Sequence, residues 1–340
     1  MKTFAAIALF GAVNAMDNSL AGFMKYISTH SKSYANIDDF NMRFQNWLAT
    51  EQFIQETNSN STNTFTVGHN KFSDFTAAER KNLTGLAKKS DDYVPENAGS
   101  FEPKNLLGLP AAWNWVSQGK VSPIQDQGQC GSCWAFSATA SSESAVAIFN
   151  NPVPASVPKY SEQQLVDCSS AFGNNGCNGG WYFWAWDYEQ INGQVPEADY
   201  PYTSGTTMVT GTCTVNVAQE VSFTKSPTAY TFVGRSNALI QAAAYQQPVS
   251  VAIEADQNVF QQYTGGVLNS TDCGTTIDHA VVVVGYSTGT SAGDYWIVRN
   301  SWGTSWGQAG YVWIAISPSG WPGICGINKD VYYPLMANQA

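Results

Sequence analysis

Seven cysteines stand at positions 130, 133, 168, 177, 213, 273 and 325 of this 340-residue chain, and none precedes Cys130. The chain opens like a secretory leader. Lys2 supplies the charge, Phe4 to Val13 a short apolar stretch, and Val13-Asn14-Ala15 a small-residue cleavage site, so residues 1–15 read as a signal peptide. The apolar stretch is too short to span a bilayer, and no other long apolar run follows. Cysteines on that route pair as disulfides, and an odd count leaves one thiol over, a candidate for reactivity. Spacing alone does not choose the pairs.

Charge narrows the partners. Charged residues make up only 12% of the chain and the formal net charge is -10, whereas nucleic acids and anionic membranes attract basic patches. A soluble protein with no nucleic-acid partner and no membrane span is expected. Sequons at Asn60, Asn82 and Asn269 are glycosylation candidates in the secretory pathway.

The hydrophobic spacing changes along the chain. Leu20, Phe23, Met24 and Ile27 repeat at helical intervals, as do Phe40, Phe44, Trp47, Leu48 and Ile54. Phe65-Thr66-Val67 suits a short strand, and Thr76-Ala77-Ala78-Glu79 a capping box that opens a helix. Residues 87–108 hold charges, prolines and glycines without periodicity, which reads as an exposed, easily cut linker. Cys133 to Phe149 is a run of Ala, Ser and aromatics that predicts a packed central helix. Residues 150–218 are rich in turns. From about 219 onward strands are expected, among them the valine run after His279. A helical half thus precedes a strand-rich half, with a cleft expected between them.

The chemistry centres on Gln127-Gly128-Gln129-Cys130-Gly131-Ser132-Cys133-Trp134. A thiol at the start of a helix gains from the helix dipole, which favours thiolate. It also needs a base. The chain has three histidines, and His30 and His69 lie in the segment before the linker, so His279 is the one imidazole left if that segment is removed. A third group must fix the ring's tautomer and tilt. Asn300, in Asn300-Ser301-Trp302-Gly303, is the candidate, with a turn cap as its other reading. Trp302, and Trp306 beside it, can shield that contact from water. The Gln127 amide and the Cys133 N–H can form an oxyanion hole.

These residues resemble the Cys-Gly-Ser-Cys-Trp signature of the papain-like cysteine peptidases, with His and Asn far downstream. The chain is similar to the cathepsin L-like branch in its precursor form. The resemblance implies an α+β, papain-like two-domain fold: a helical left domain facing an antiparallel, β-barrel-like right domain across the active-site cleft, behind a helical inhibitory prodomain. It implies a nucleophile at Cys133, a base at His279 within Asp278-His279-Ala280, an orienting Asn300 and an oxyanion amide at Gln127. Implied disulfides are Cys130–Cys177, Cys168–Cys213 and Cys273–Cys325, with Cys133 free. Gly68-His69-Asn70-Lys71-Phe72-Ser73-Asp74 fits the prodomain's Gly-x-Asn-x-Phe-x-Asp motif. In its interrupted helix motif Arg43, Ile54 and Asn58 match, whereas Asp39, Trp47 and Thr50 stand in for Glu, Phe and Asn. Such a prodomain lies along the cleft in the non-productive direction and leaves on acidification. Asp74 is a candidate pH sensor, a helix cap being the alternative. The implied boundaries are residues 16–108 for propeptide and linker and 109–340 for the peptidase, its helical half at about 118–218 and its strand-rich half at about 219–340.

Specificity in this family sits at the pocket for the second residue before the scissile bond. By alignment Gly179 and Gly180 offer backbone hydrogen bonds to an extended substrate. Trp181, Tyr182, Ala252 and Ala280 wall the pocket, Asp278 and Trp302 border it, and Asp330 is its floor. Aromatics and alanines predict apolar side chains there, and a floor carboxylate adds Arg or Lys. The expected activity is a cysteine endopeptidase acting on proteins and peptides through an acyl-enzyme. It would be a monomer inhibited by its own propeptide and by cystatin-like proteins, using no cofactor and no metal. Its expected address is a lysosome, a digestive vacuole or the cell exterior. A thiol–disulfide oxidoreductase would use Cys130 and Cys133 but leaves Gln127, His279 and Asn300 unexplained. A zinc site lacks ligand spacing, and a binding-only homologue would have lost the nucleophile or base.

Overall fold

The periodicity of the first hundred residues becomes two crossing helices. The computed structural model describes residues 19–103, 108–149, 157–215 and 229–336; the expected signal peptide lies outside them. Helix α1 (residues 19–29) packs Phe23 against Phe44 and Trp47 of α2 (Ile37–Ser59), at ring separations of 5.2 and 5.7 Å. Asn36 caps α2 by accepting from the Asp39 N–H. Arg43 then ties α2 to α3 (Ala77–Lys81) by a two-pronged contact with the Glu79 carboxylate at 2.6 and 2.7 Å. The expected capping box is formed by Thr76 and Glu79. Thr50, which departs from the family's helix motif, still bridges to the following loop, its hydroxyl donating to the Ser73 carbonyl at 2.9 Å.

Helix α4 (Cys133–Phe149) is buried from Cys133 to Ala147, because its small side chains let neighbours approach. Ser137 donates to the Val281 carbonyl at 3.0 Å, and Ser141 meets Ser250 at 2.7 Å. Helices α5 (Glu162–Cys168) and α6 (Tyr182–Asn192) pack against it, and α7 (Ser204–Thr207) follows. Helices α8 (Asn237–Gln246) and α9 (Asn258–Gln261) lie among the strands. Three disulfides join Cys130 to Cys177, Cys168 to Cys213 and Cys273 to Cys325, and Cys133 is free and buried.

The strands are β1 (Phe65–Val67), β2 (Gly99–Ser100), β3 (Ala112–Asn114), β4 (Ala229–Phe232), β5 (Val249–Ile253), β6 (Tyr263–Leu268), β7 (His279–Ser287), β8 (Tyr295–Arg299), β9 (Tyr311–Ala315) and β10 (Val331–Leu335). They follow the path β1-β6-β9-β8-β7-β5-β10-β4-β2, with β3 on β7. Most neighbours are antiparallel, as expected, with parallel pairs at β6–β9 and β2–β4. Both terminal strands, β1 and β2, come from the segment before residue 109 and cover edges that would otherwise be bare.

The linker also differs from expectation. Residues 99–101 are held to β4, the Phe101 N–H reaching the Phe232 carbonyl at 3.0 Å, and Phe101 is buried against Tyr333. A stretch without periodicity is here ordered by the surface it lies on rather than by its own pattern.

Candidate active site

The site forms where α4 begins and β7 begins. Cys133 is the first residue of α4 and His279 the first of β7, and both are fully buried. Backbone N–H groups of Ala280, Gly85 and Trp134 face the Cys133 sulfur. Burial nevertheless pushes the thiol up to about 12, against the pull of those N–H groups. Burial also lowers the His279 imidazole to about 4, with the hydrogen bond to Asn300 opposing it. Both groups are thus held uncharged in this state.

His279 Nε2 lies 2.8 Å from Asn300 Oδ1, and Nδ1 has no protein hydrogen-bond partner. The same Asn300 oxygen accepts from the Ser301 N–H at 2.8 Å, which fixes the amide's orientation. Trp302 lies over the imidazole at 4.8 Å. Trp306 takes a different part from the one expected. It packs against Trp302 at 5.2 Å and donates to the Gln261 carbonyl at 3.0 Å, so it backs the covering ring.

Gln127 is fixed from both sides. Its backbone N–H donates to the Ser301 carbonyl at 2.9 Å, and its side-chain oxygen accepts from the Ser301 hydroxyl at 2.6 Å. Its Nε2 donates to the Cys130 carbonyl at 3.0 Å and to the Leu83 carbonyl at 3.1 Å. The Trp302 indole donates to that same Leu83 oxygen at 3.1 Å.

Residues 83–89 fill the cleft between the two cores. Gly85 and Leu86 N–H groups donate to the Asp278 carbonyl at 3.0 and 2.9 Å. Asp278 therefore meets the segment through its backbone, while its carboxylate turns to the Ala255 N–H. Burial raises that carboxyl to about 8. Across the cleft Leu86 bridges Gly180 in a parallel sense. The Gly180 N–H donates to Gly85 at 3.0 Å, and the Ala87 N–H donates back to Gly180 at 3.3 Å. Gly179 has φ +115, and a Cβ there would stand 3.1 Å from the Gly85 carbonyl oxygen. A Cβ on Gly85 itself would meet the Gly131 carbonyl oxygen at 2.0 Å, so only glycine fits over this loop.

Beside the cleft, Trp181, Tyr182, Ala252 and Ala280 belong to one buried cluster, with Ala252 opposite Ala280 across β5 and β7. Asp330 is buried beneath them. It faces neither solvent nor Lys329; its Oδ2 lies 2.7 Å from the Lys89 ammonium, which also sits 4.8 Å from the Trp181 ring centre. Burial raises the Asp330 carboxyl to about 6, against the pull of Lys89.

Of the prodomain motif, Asn70 donates to the Gln261 carbonyl at 2.7 Å and Phe72 packs edge-on against Trp302 at 5.4 Å. Gly68 donates to the Gln262 carbonyl at 2.8 Å. Asp74 caps no helix, since Thr76 does that. It accepts from Tyr26 and Tyr34 at 2.8 Å and from Lys32 at 2.7 Å, locking α1 to the motif loop. The asparagines of the three sequons, Asn60, Asn82 and Asn269, are exposed. Reading the sequence missed Leu83, Gly85, Ser301 and Lys89. The Lys88-Lys89 pair was visible, but only as part of a linker.

Comparison with known proteins agrees with this geometry. The family model described as papain family cysteine protease matches residues 109–335, and that of the cathepsin propeptide inhibitor domain matches residues 23–79. A thiol protease from Hemerocallis, SEN102, is 37% identical over 94% of this chain and 88% of its own length. Fruit bromelain from Ananas comosus is 34% identical over 95% and 88%. Among solved structures, digestive procathepsin L2 from Tenebrio molitor larval midgut superposes with TM-score 0.82 at 33% identity, covering 94% of this chain and all of the other. A recombinant stem bromelain precursor gives 0.81 at 33% identity, covering 94% and 99%.

Proposed function

The chain belongs to the papain family and is a cysteine protease made with an inhibitory propeptide, and from that premise we propose how its own residues divide the work. Cys133 Sγ attacks the peptide carbonyl after His279 takes its proton. The sulfur–carbon bond forms as the carbonyl electrons move to oxygen, where the Gln127 amide and the Cys133 N–H receive the charge. His279 then protonates the leaving amine, the carbon–nitrogen bond breaks, and an acyl-enzyme remains. Water enters, gives a proton to His279 and releases the acid, returning the thiol. Asn300 holds the ring by accepting at Oδ1 from Nε2, leaving Nδ1 for the exchanged proton, and Trp302 keeps water from that bond.

The observation that carries this reading is the Leu83 carbonyl, held by the Gln127 Nε2 and Trp302 Nε1 while Gly85 lies against the Cys133 sulfur. A peptide carbonyl already rests on one of the donors assigned to the reaction, the Gln127 amide. The propeptide runs parallel to Gly180; a productive substrate would run the other way. Cys133→Ser is the direct test. The precursor should fold and show no peptidase activity after acid treatment, and retained cleavage would refute the assignment.

For the second residue before the scissile bond we propose dual acceptance, apolar or basic. Trp181, Tyr182, Ala252 and Ala280 supply the apolar walls, and Lys89 on Asp330 supports the basic option. The leader at residues 1–15 supports entry to the secretory pathway, with a lysosome, a vacuole or the exterior as destination and glycans on exposed sequons. A monomer open to cystatin-like inhibitors is part of the same reading.

A further inference from the structure

Basic residues are scarce in the peptidase region. Residues 109–340 contain six: Lys120, Lys159, Lys225, Arg235, Arg299 and Lys329. Three serve the interior of the fold. Lys120 donates to the Ala147 carbonyl, Lys159 pairs with Glu162, and Arg299 donates to the Pro123 carbonyl. Lys225 lies outside the described residues. The remaining two, Arg235 and Lys329, stand together on the lip of the cleft, where Arg235 Nε donates to the Lys329 carbonyl at 3.3 Å.

The propeptide shows what this pair takes. Lys329 Nζ lies 2.7 Å from the Asp91 carboxylate, with a second bond to the Thr275 carbonyl at 3.0 Å. Arg235 reaches the Asp92 carboxylate at 3.5 Å and hydrogen-bonds the Asp91 carbonyl. Lys89 meanwhile occupies the pocket above Asp330, the residue that follows Lys329. Ser90 between them is exposed. Lys89 and Asp91 thus meet the enzyme on either side of Ser90, where the chain enters a turn closed by the Tyr93 N–H on the Ser90 carbonyl at 3.1 Å. The pocket and the lip are therefore reached by residues two apart along the bound propeptide.

We propose that Lys329, with Arg235 behind it, forms an outer subsite that selects Asp or Glu at the fourth residue before the scissile bond. This rests on the reading that the Asp330 pocket binds the second residue and that substrates run opposite to the propeptide. Reversal puts the lip on the N-terminal side of the pocket residue, two positions further from the cut. In a protein of net charge -10, an acidic segment meets repulsion elsewhere, so this basic pair supplies local complementarity for such substrates.

The test uses mature enzyme activated from the full-length precursor and two reporter peptides, Asp-Ala-Phe-Arg and Lys-Ala-Phe-Arg, that differ only at the fourth position. The wild type should favour the Asp peptide by about threefold to fivefold in kcat/KM, as an ion pair with one half-exposed member allows, with the preference shrinking at high salt. Lys329→Glu should reverse it. Each ratio is taken within one enzyme, so partial loss of folding does not alter it. Equal cleavage of the two peptides by the wild type, or a ratio unmoved by Lys329→Glu, would overturn the subsite while leaving proteolysis standing. Cleavage of neither would remove both.

Discussion

The Lys89 ammonium and the Asp330 carboxylate are 2.7 Å apart, with side chains only 8% and 2% exposed, although 241 residues separate them in sequence. Removing one member of a buried pair leaves the other uncompensated. Lys89→Ala should therefore weaken propeptide inhibition, raising precursor activity at neutral pH by about tenfold or more. Active-site titration with a covalent thiol inhibitor measures it, and an unchanged background would show that the contact contributes nothing to latency.

Substrate choice should follow the same carboxyl. Asp330, raised to about 6 by burial against the pull of Lys89, binds a cation only when ionised. In the mature enzyme, which lacks Lys89, the kcat/KM ratio for Arg over Phe at the second residue before the cut should rise with pH as Asp330 ionises and fall in acid. Asp330→Ala should flatten the profile, and a ratio it leaves unmoved would end the dual-acceptance reading.

Acid release has a candidate sensor in His69. The ring stacks on Trp47 at 4.7 Å, its Nε2 faces Glu51 at 2.8 Å, and its buried Nδ1 has no acceptor. Burial lowers its pKa, with Glu51 opposing. The folded propeptide thus prefers the neutral ring. That stabilisation is complete above the ordinary value of about 6.5 and is lost as pH falls through it towards the depressed value. His30, also lowered by burial, acts in the same direction. His69→Phe should move the midpoint of activation to lower pH and slow activation severalfold just below neutrality. An unshifted midpoint would exclude His69.

Gly85 should tolerate no side chain, given the 2.0 Å approach of its virtual Cβ to the Gly131 carbonyl oxygen. Gly85→Ala should cost about 1–3 kcal/mol of propeptide binding. The precursor should then react faster with thiol reagents at neutral pH, and a rate equal to wild type would mean that the loop simply shifts aside.

Much of the site was legible because its chemistry depends on scarce residues. One cysteine was left over from pairing, and only His279 remained outside the propeptide as its partner. Asn300 gained its meaning from the resemblance, and the structure places its oxygen on the imidazole. What escaped reading depends on distances between remote segments. Nothing local marks Leu83 as the residue whose carbonyl meets Gln127, or Lys89 as the cation above Asp330. Thr50 departs from the helix motif, and its hydroxyl bridges to the Ser73 carbonyl. The sheet's two border strands were not legible as such, because β1 and β2 are short and lie far in sequence from the strands they flank.

Those two border strands have a temporal meaning. Residues 65–67 and 99–100 leave the ribosome before any strand they will flank, so both border segments are already present when the strands between them are synthesised. The propeptide is in this sense a mould as well as a plug. A peptidase that has shed it keeps the shape but has lost the rim that guided assembly. Once unfolded, it should recover poorly on its own, with the bare backbones of β6 and β4 left to find one another in neighbouring molecules. Latency and foldability thus draw on different parts of one segment: residues 83–89 fill the cleft, while β1 and β2 border the sheet.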